Sequence, residues 1–214
     1  MTEKVFIHAG APSTGSSAFQ MFLGLNATNI RAQGFEIAYP GRDGAQNGTL
    51  KMWLPAPKHD AVTRAYSIKK AQSNSRRYGR DPTLPLILSE ENILGTMPSL
   101  LRGNFFSNAA ARACHVKHVL AAKPIERLVV VVRPYDAFSI SAYKKRAGIR
   151  QLPPFEQIAE RLLVLEGGGL NVVHAFVEQL RSEHVAVVKY RPSRKQIELT
   201  AAVCPHLVSD QFVR

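Results

Sequence analysis

The sequence predicts a doubly wound, three-layer α/β fold around a mostly parallel sheet of about five strands. Short β-branched runs alternate with longer stretches of helical periodicity, the order expected of βαβ crossovers. One run, Leu128 to Val132, reads Leu-Val-Val-Val-Val without polar alternation. That is the pattern of a parallel strand covered by helices on both faces. The first run leads directly into a small-residue loop and then a helix, an arrangement that suits an anionic ligand.

Strands are expected at Val5 to Ala9, Phe35 to Tyr39, Leu86 to Leu88, Leu128 to Val132 and Val185 to Tyr190. Between them, apolar residues at helical spacing predict helices over Ser16 to Ile30, Asp60 to Ser75, Asn108 to Ala121, Asp136 to Ala147, Phe155 to Leu165 and Leu170 to Ser182. No internal repeat or linker interrupts this order, and 214 residues with 45% hydrophobic content fit one domain with a substantial core. The Gly- and Pro-rich stretch Pro40 to Lys58 is the longest expected loop, either a candidate lid or acceptor-binding segment or a variable surface loop.

Cys114 and Cys204 stand far apart and outside metal-ligand spacing, so neither a disulfide framework nor a zinc site is expected. The polar start Met1 to Lys4 and the strand after it do not read as a secretory leader, and a cytoplasmic location is expected. The longest apolar run falls far short of the roughly 20 residues a membrane-spanning helix needs. Lys and Arg number 28 against 16 Asp and Glu, a net charge of +12 that favours anionic partners. Phosphorylated ligands, sulfated sugars, nucleic acid and acidic headgroups share that sign. No helix-turn-helix, finger or aromatic RNA-binding pattern is present, so nucleic acid is not expected. Lys69, Lys70, Arg76, Arg77 and Arg80 read as one basic helix face and the loop after it, either a solvated surface or an anion contact.

The most informative segment runs Val5-Phe6-Ile7-His8-Ala9-Gly10-Ala11-Pro12-Ser13-Thr14-Gly15-Ser16-Ser17. Gly10 and Gly15 allow tight turning and close approach to phosphate oxygens, while a helix N-terminus offers unpaired N–H groups and partial positive charge. Ser16 and Ser17 are expected to cap that helix or to offer hydroxyl donors. The spacing is near that of the ATP and GTP phosphate loop, but the Lys required after the second Gly is Ser16. A nucleoside triphosphatase is therefore disfavoured.

The run Pro12-Ser13-Thr14-Gly15-Ser16-Ser17 resembles the 5'-phosphosulfate loop of the sulfotransferases that use 3'-phosphoadenosine 5'-phosphosulfate, a family with a P-loop-like fold. The family's form is Pro-Lys-Ser/Thr-Gly-Thr/Ser-Thr/Ser, and its Lys, which neutralises charge on the leaving phosphate, is Ser13 here. A second segment, Arg133-Pro134-Tyr135 through Ser141, resembles the family's 3'-phosphate motif, in which a strand-end Arg and a Ser eight positions later hold that phosphate. By resemblance, Pro12 to Ser17, Arg133 and Ser141 bind the nucleotide. A looser echo, a strand ending at Tyr190, follows, and the chain runs to Arg214 without an evident longer basic closing loop. Lys189, Arg191, Arg194 and Lys195 are candidates to supply that charge.

The strand Leu86-Ile87-Leu88 ends in Ser89, Glu90 and Glu91, where one carboxylate can accept a proton from an acceptor hydroxyl. Glu90 is preferred, because Glu91 suits the first turn of a helix. His8 is the other candidate base, though a His inside an apolar strand also fits a hydrogen-bonded core position. The resemblance implies transfer of a sulfuryl group to a hydroxyl or amine of an unidentified carbohydrate, lipid or small molecule, with no metal required. Two other readings stay open. One is a nucleotide-binding protein that has lost efficient chemistry, motivated by Ser13. The other is a kinase with an unusual phosphate loop.

Overall fold

The computed structural model describes residues 4–11, 13–56, 59–75, 81, 83–96, 108–120, 123–163, 168–208 and 210–213. In chain order the elements are β1 (Val5–Gly10), α1 (Ser16–Leu25), α2 (Ala27–Ala32), β2 (Glu36–Ala38), α3 (Ala61–Ser75) and β3 (Leu86–Ser89). After a short 3-10 turn at Glu91–Ile93 come α4 (Ala109–Val119), β4 (Ile125–Val132), α5 (Tyr135–Ala147), α6 (Phe155–Leu163), α7 (Gly168–Leu180), β5 (His184–Lys189) and α8 (Gln196–Val203). The sheet order is β2-β3-β1-β4-β5, and every pair is parallel.

Alternation along the strands builds the three layers. Val5, Ile7 and Ala9 join Leu88, Leu128 and Val130 on one face, beneath Val116 of α4, Phe138 of α5 and Phe176 of α7. Phe6, Ile37, Ile87, Val129 and Val131 face the other way, against Phe19 and Leu23 of α1, Ile30 of α2 and Leu199 of α8. Each fully buried side chain of this size contributes about 1.5 to 3 kcal/mol. A one-residue slip of β1 would exchange the two sets, so burial on both sides pins its register.

Two helical expectations need correction. The stretch expected as one helix from Ser16 to Ile30 breaks at Asn26. There the side-chain amide donates to Phe22 O at 3.0 Å and Val213 O at 3.2 Å, and its oxygen accepts from Val213 N at 2.7 Å. An Asn side chain competes for main-chain partners, and here it fastens the C-terminal segment to α1. The helix α8 was not expected at all, because its apolar positions follow directly on the basic turn Arg191 to Lys195.

From β1 the chain crosses to the β2 edge, returns through β3 and then passes to β4 and β5 on the other side of β1. The strand order therefore reverses beside β1, and the carboxyl ends of β1 and β4 form the crevice where open α/β sheets take ligands.

Candidate functional site

The loop after β1 is folded around Gly10. Ala11 N donates to Val131 O at 3.3 Å, which ties the start of the loop to β4. Thr14 closes the turn, its N and Oγ1 donating to Ala11 O at 3.2 and 2.6 Å. Ser13 has a φ of 65° and Gly15 a φ of 81°. A Cβ at Gly10 would stand 2.2 Å from Ser16 Oγ and 2.8 Å from Thr14 Oγ1, so no larger residue fits without moving the loop.

Gly15, not Ser16 or Ser17, is the N-cap of α1, and no side chain caps that end. The expected capping role of the serines is thus corrected: Ser16 and Ser17 are the first helical residues. Their amides, with that of Ala18, belong to the first turn and have no intrahelical acceptor. Ser16 Oγ is buried and has no hydrogen-bond partner among the described residues. Thr14 is buried as well, Ser17 is half-buried, and Pro12 lies outside the described residues.

Arg133 leaves the end of β4 and turns towards this loop. Its Nη1 donates to Ser13 O at 3.0 Å, and its guanidinium stands 5.1 Å from the centroid of the Tyr190 ring. The same ring would lie 3.4 Å from a Cβ on Gly15, so Tyr190 packs over the loop. Between loop and ring lies a crevice of about 150 Å³, lined by Thr14, Gly15, Ala18, Tyr190, Arg191 and Arg194. α5 begins at Tyr135, two residues after Arg133, so a second helix N-terminus meets the same edge of the sheet. Ser141 is half-buried on α5. The expected basic residues are thus partly gathered: Arg191 and Arg194 line the crevice, whereas Lys144, Lys145 and Arg146 belong to the far end of α5, with Lys145 paired to Asp43 at 3.5 Å. Lys69 and Lys70 are exposed on α3, and Arg76, Arg77 and Arg80 lie outside the described residues.

The acidic end of β3 is organised differently from a free carboxylate pair. Glu90 is almost wholly buried, accepts from Asn92 N at 2.9 Å as N-cap of the 3-10 turn, and pairs with Arg42 Nη2. Glu91 sits in that turn, as expected, and takes Arg42 Nε at 3.3 Å. Burial pushes the Glu90 carboxyl above its usual range, and Arg42 partly offsets this. Arg112, buried on α4, donates to Asn92 O at 2.8 Å and to Pro55 O at 3.1 Å. The loop after β2 therefore lies against the site through Arg42 and Pro55.

His8 is fully enclosed below Gly10. Its Nδ1 is 2.9 Å from Ser89 Oγ, which also receives Gln20 Nε2 at 3.3 Å, and its ring packs against Phe19 at 4.6 Å. Desolvation lowers its pKa to about 3, so the imidazole is neutral and weakly basic. It occupies the core position rather than the open edge. Arg42, Arg112 and the stacking of Tyr190 on Arg133 escaped sequence reasoning. For Arg42 a signal existed in a lone cation amid the turn residues Gly41, Asp43 and Gly44, but its partners are about 48 positions away, a separation no local pattern reports.

Among the described residues, one group has metal-ligand proximity, Glu126, Glu183 and His184. It stands at the amino ends of β4 and β5, the opposite edge of the sheet, where Lys4 already pairs with Glu126. No described helix is long and apolar enough to cross a membrane.

Fold and site together define a P-loop-like α/β protein in which a crowded, glycine-containing loop meets a helix N-terminus at the switch point of the sheet. The chain is similar to the crystal structure of a sulfotransferase from Alicyclobacillus acidocaldarius, with a TM-score of 0.53 and 16% identity over 100% of this chain and 84% of that one. That likeness is one of fold. No family model matches the sequence, and no curated protein does.

Proposed function

We propose that the protein is a sulfotransferase that takes 3'-phosphoadenosine 5'-phosphosulfate as donor. The observation that carries this reading is Ser16: a buried hydroxyl with no partner, set among first-turn amides in a loop too crowded for a Cβ at Gly10. A buried polar atom left without a partner costs about 1 to 3 kcal/mol, and a phosphate or sulfate oxygen is the acceptor that fits it. The fold likeness and the order of the two motifs direct the choice among anions.

In this reading the 5'-phosphosulfate lies on Thr14 to Ser17, and the remaining donors of Arg133, together with Ser141, take the 3'-phosphate. The acceptor oxygen bonds to sulfur as the bond from sulfur to the bridging oxygen breaks. The departing pair stays on the 5'-phosphate, and main-chain N–H groups stabilise that developing charge. Glu90 is the proposed base for the acceptor proton. Arg42 has to move off it first, since Arg42 occupies a carboxylate oxygen and opposes its protonation.

Ser13 favours a second reading, a nucleotide-binding protein with little turnover, because its hydroxyl supplies no charge to the leaving group. Arg133 bears on this, since its guanidinium already bonds the Ser13 carbonyl. Calorimetry with 3'-phosphoadenosine 5'-phosphate, adenosine 5'-phosphate and ATP tests the donor. The first should bind best, and Arg133→Ala should weaken it by about 1.5 to 3 kcal/mol while changing adenosine 5'-phosphate less. Equal loss for both removes Arg133 from the 3'-phosphate; no preference among the three ligands removes the donor assignment.

A further inference from the structure

The hollow at the top of the first core is not used by the donor reading. It measures about 460 Å³, within the range of small-molecule sites. Its floor is Val130 and Val132 of β4, and its sides are Phe138 of α5, Val172 and Val173 of α7 and Val187 of β5. Among the described residues, the polar side chains lining it are Arg133, Tyr135 and Lys189. Arg133 and Lys189 come from the carboxyl ends of β4 and β5, and Ala11 of the phosphate loop closes the same end. Over its described lining the hollow is therefore apolar in its body and charged where it meets the loop. It opens to solvent beside Leu170 and Val187, which are 71% and 53% exposed.

We propose that this cavity is the acceptor site and takes an apolar molecule carrying one terminal hydroxyl, a long-chain alcohol or a polycyclic equivalent. The assignment rests on the donor reading above. A sugar would leave several hydroxyls facing valines and a phenylalanine, each without a partner, whereas an aliphatic body gains from every wall. The position of Ala11 and Arg133 sets the direction of entry: apolar body inward, hydroxyl towards the phosphate loop. The hydroxyl oxygen then forms the bond to sulfur, the bond from sulfur to the bridging oxygen breaks with its pair left on the 5'-phosphate, and the proton passes to the proposed base Glu90. The products are a sulfate monoester of the alcohol and 3'-phosphoadenosine 5'-phosphate.

The test follows the neutral fluorophore N-phenyl-1-naphthylamine bound to the whole chain, its displacement by 1-dodecanol or by glucose, and nucleotide affinity in parallel. Saturable binding displaced by dodecanol and not by glucose is expected. Val187→Glu places a charge on an already exposed wall position, and Val173→Trp fills the cavity from α7. Each should weaken dodecanol at least about tenfold, with the affinity for 3'-phosphoadenosine 5'-phosphate unchanged and the thermal transition retained. Fluorophore binding that dodecanol does not displace, or that both variants leave intact, overturns the site while leaving the donor reading standing. Dodecanol binding without any nucleotide binding overturns the donor reading and with it the acceptor role. With both ligands bound, labelled donor and dodecanol should yield dodecyl sulfate, and transfer to glucose alone overturns the proposed class.

Discussion

Two residues carry the sharpest consequences of the site, Ser13 and His8. Ser13 holds a left-handed backbone, so a Lys placed there meets the same strain as the Ser it replaces, and any change in rate reports charge rather than conformation. Ser13→Lys is expected to raise sulfuryl transfer, or donor hydrolysis, on the order of 100-fold while altering nucleotide affinity far less, because the added cation acts on charge that appears only in the transition state. Single-turnover rates beside calorimetry decide this. An unchanged or slower rate means that Arg133, already at the Ser13 carbonyl, supplies the charge. His8 acts through stability instead. Its folded pKa of about 3 lies below the usual 6.5, so between those values the unfolded chain binds the extra proton. Stability is then full above about pH 6.5 and falls as pH drops, by up to about 1.4 kcal/mol per pH unit within that window. His8→Asn should flatten the slope of urea-unfolding free energy between pH 6 and pH 4. A residual slope is expected from His115, whose pKa burial lowers to about 4. An unaltered slope would remove His8 as its source.

At the scale of elements, the loop between β2 and α3 and the turn after β3 are fastened by one cation. Arg42 spans Glu90 and Glu91, and its removal takes from a nearly buried carboxylate its ion-pair partner, leaving only the longer-range field of Arg112. Arg42→Ala should destabilise the protein by about 2 to 3 kcal/mol at neutral pH. Without Arg42 the Glu90 carboxyl rises further above 4.5 in the folded state, so the folded protein keeps its proton where the unfolded chain loses it. The deficit of the variant therefore grows as pH rises through the raised range in which Glu90 titrates in the folded chain, and melts at pH 5 and pH 7.5 should show the larger loss at the higher value. Equal losses would mean that Glu90 is not the group Arg42 serves. This clasp also marks the limit of sequence reasoning. The five strands and the order loop, helix, strand-end arginine were legible because they are local, period by period. The break at Asn26 and the clasp at Arg42 depend on partners at Val213 and Glu90, and long-range pairing has no local period.

Over the whole molecule, the excess of positive charge proved less informative than its placement. Lys69 and Lys70 project from α3, while Arg133, Arg191 and Arg194 converge on the carboxyl edge beside β1. Net charge alone favours an anionic partner, and the proposed place for it comes from the topology. That topology also sorts the site by endurance. β1 lies between two neighbours and is buried throughout its length, whereas β5 is the last strand of the sheet and pairs with β4 alone. Its burial pattern alternates between exposed and half-buried residues. Local opening reaches such a margin long before it reaches a centre. The loop after β1 hangs from a central, buried strand, and the Tyr190 to Arg194 wall hangs from an exposed marginal one. A nucleotide bound there as proposed is a rivet joining a part expected to open slowly to one expected to open readily, and only the second has much to gain. In hydrogen–deuterium exchange, 3'-phosphoadenosine 5'-phosphate should therefore slow the amides of 185–190 strongly and those of 5–10 hardly at all. Protection spread evenly over both strands would place the ligand elsewhere.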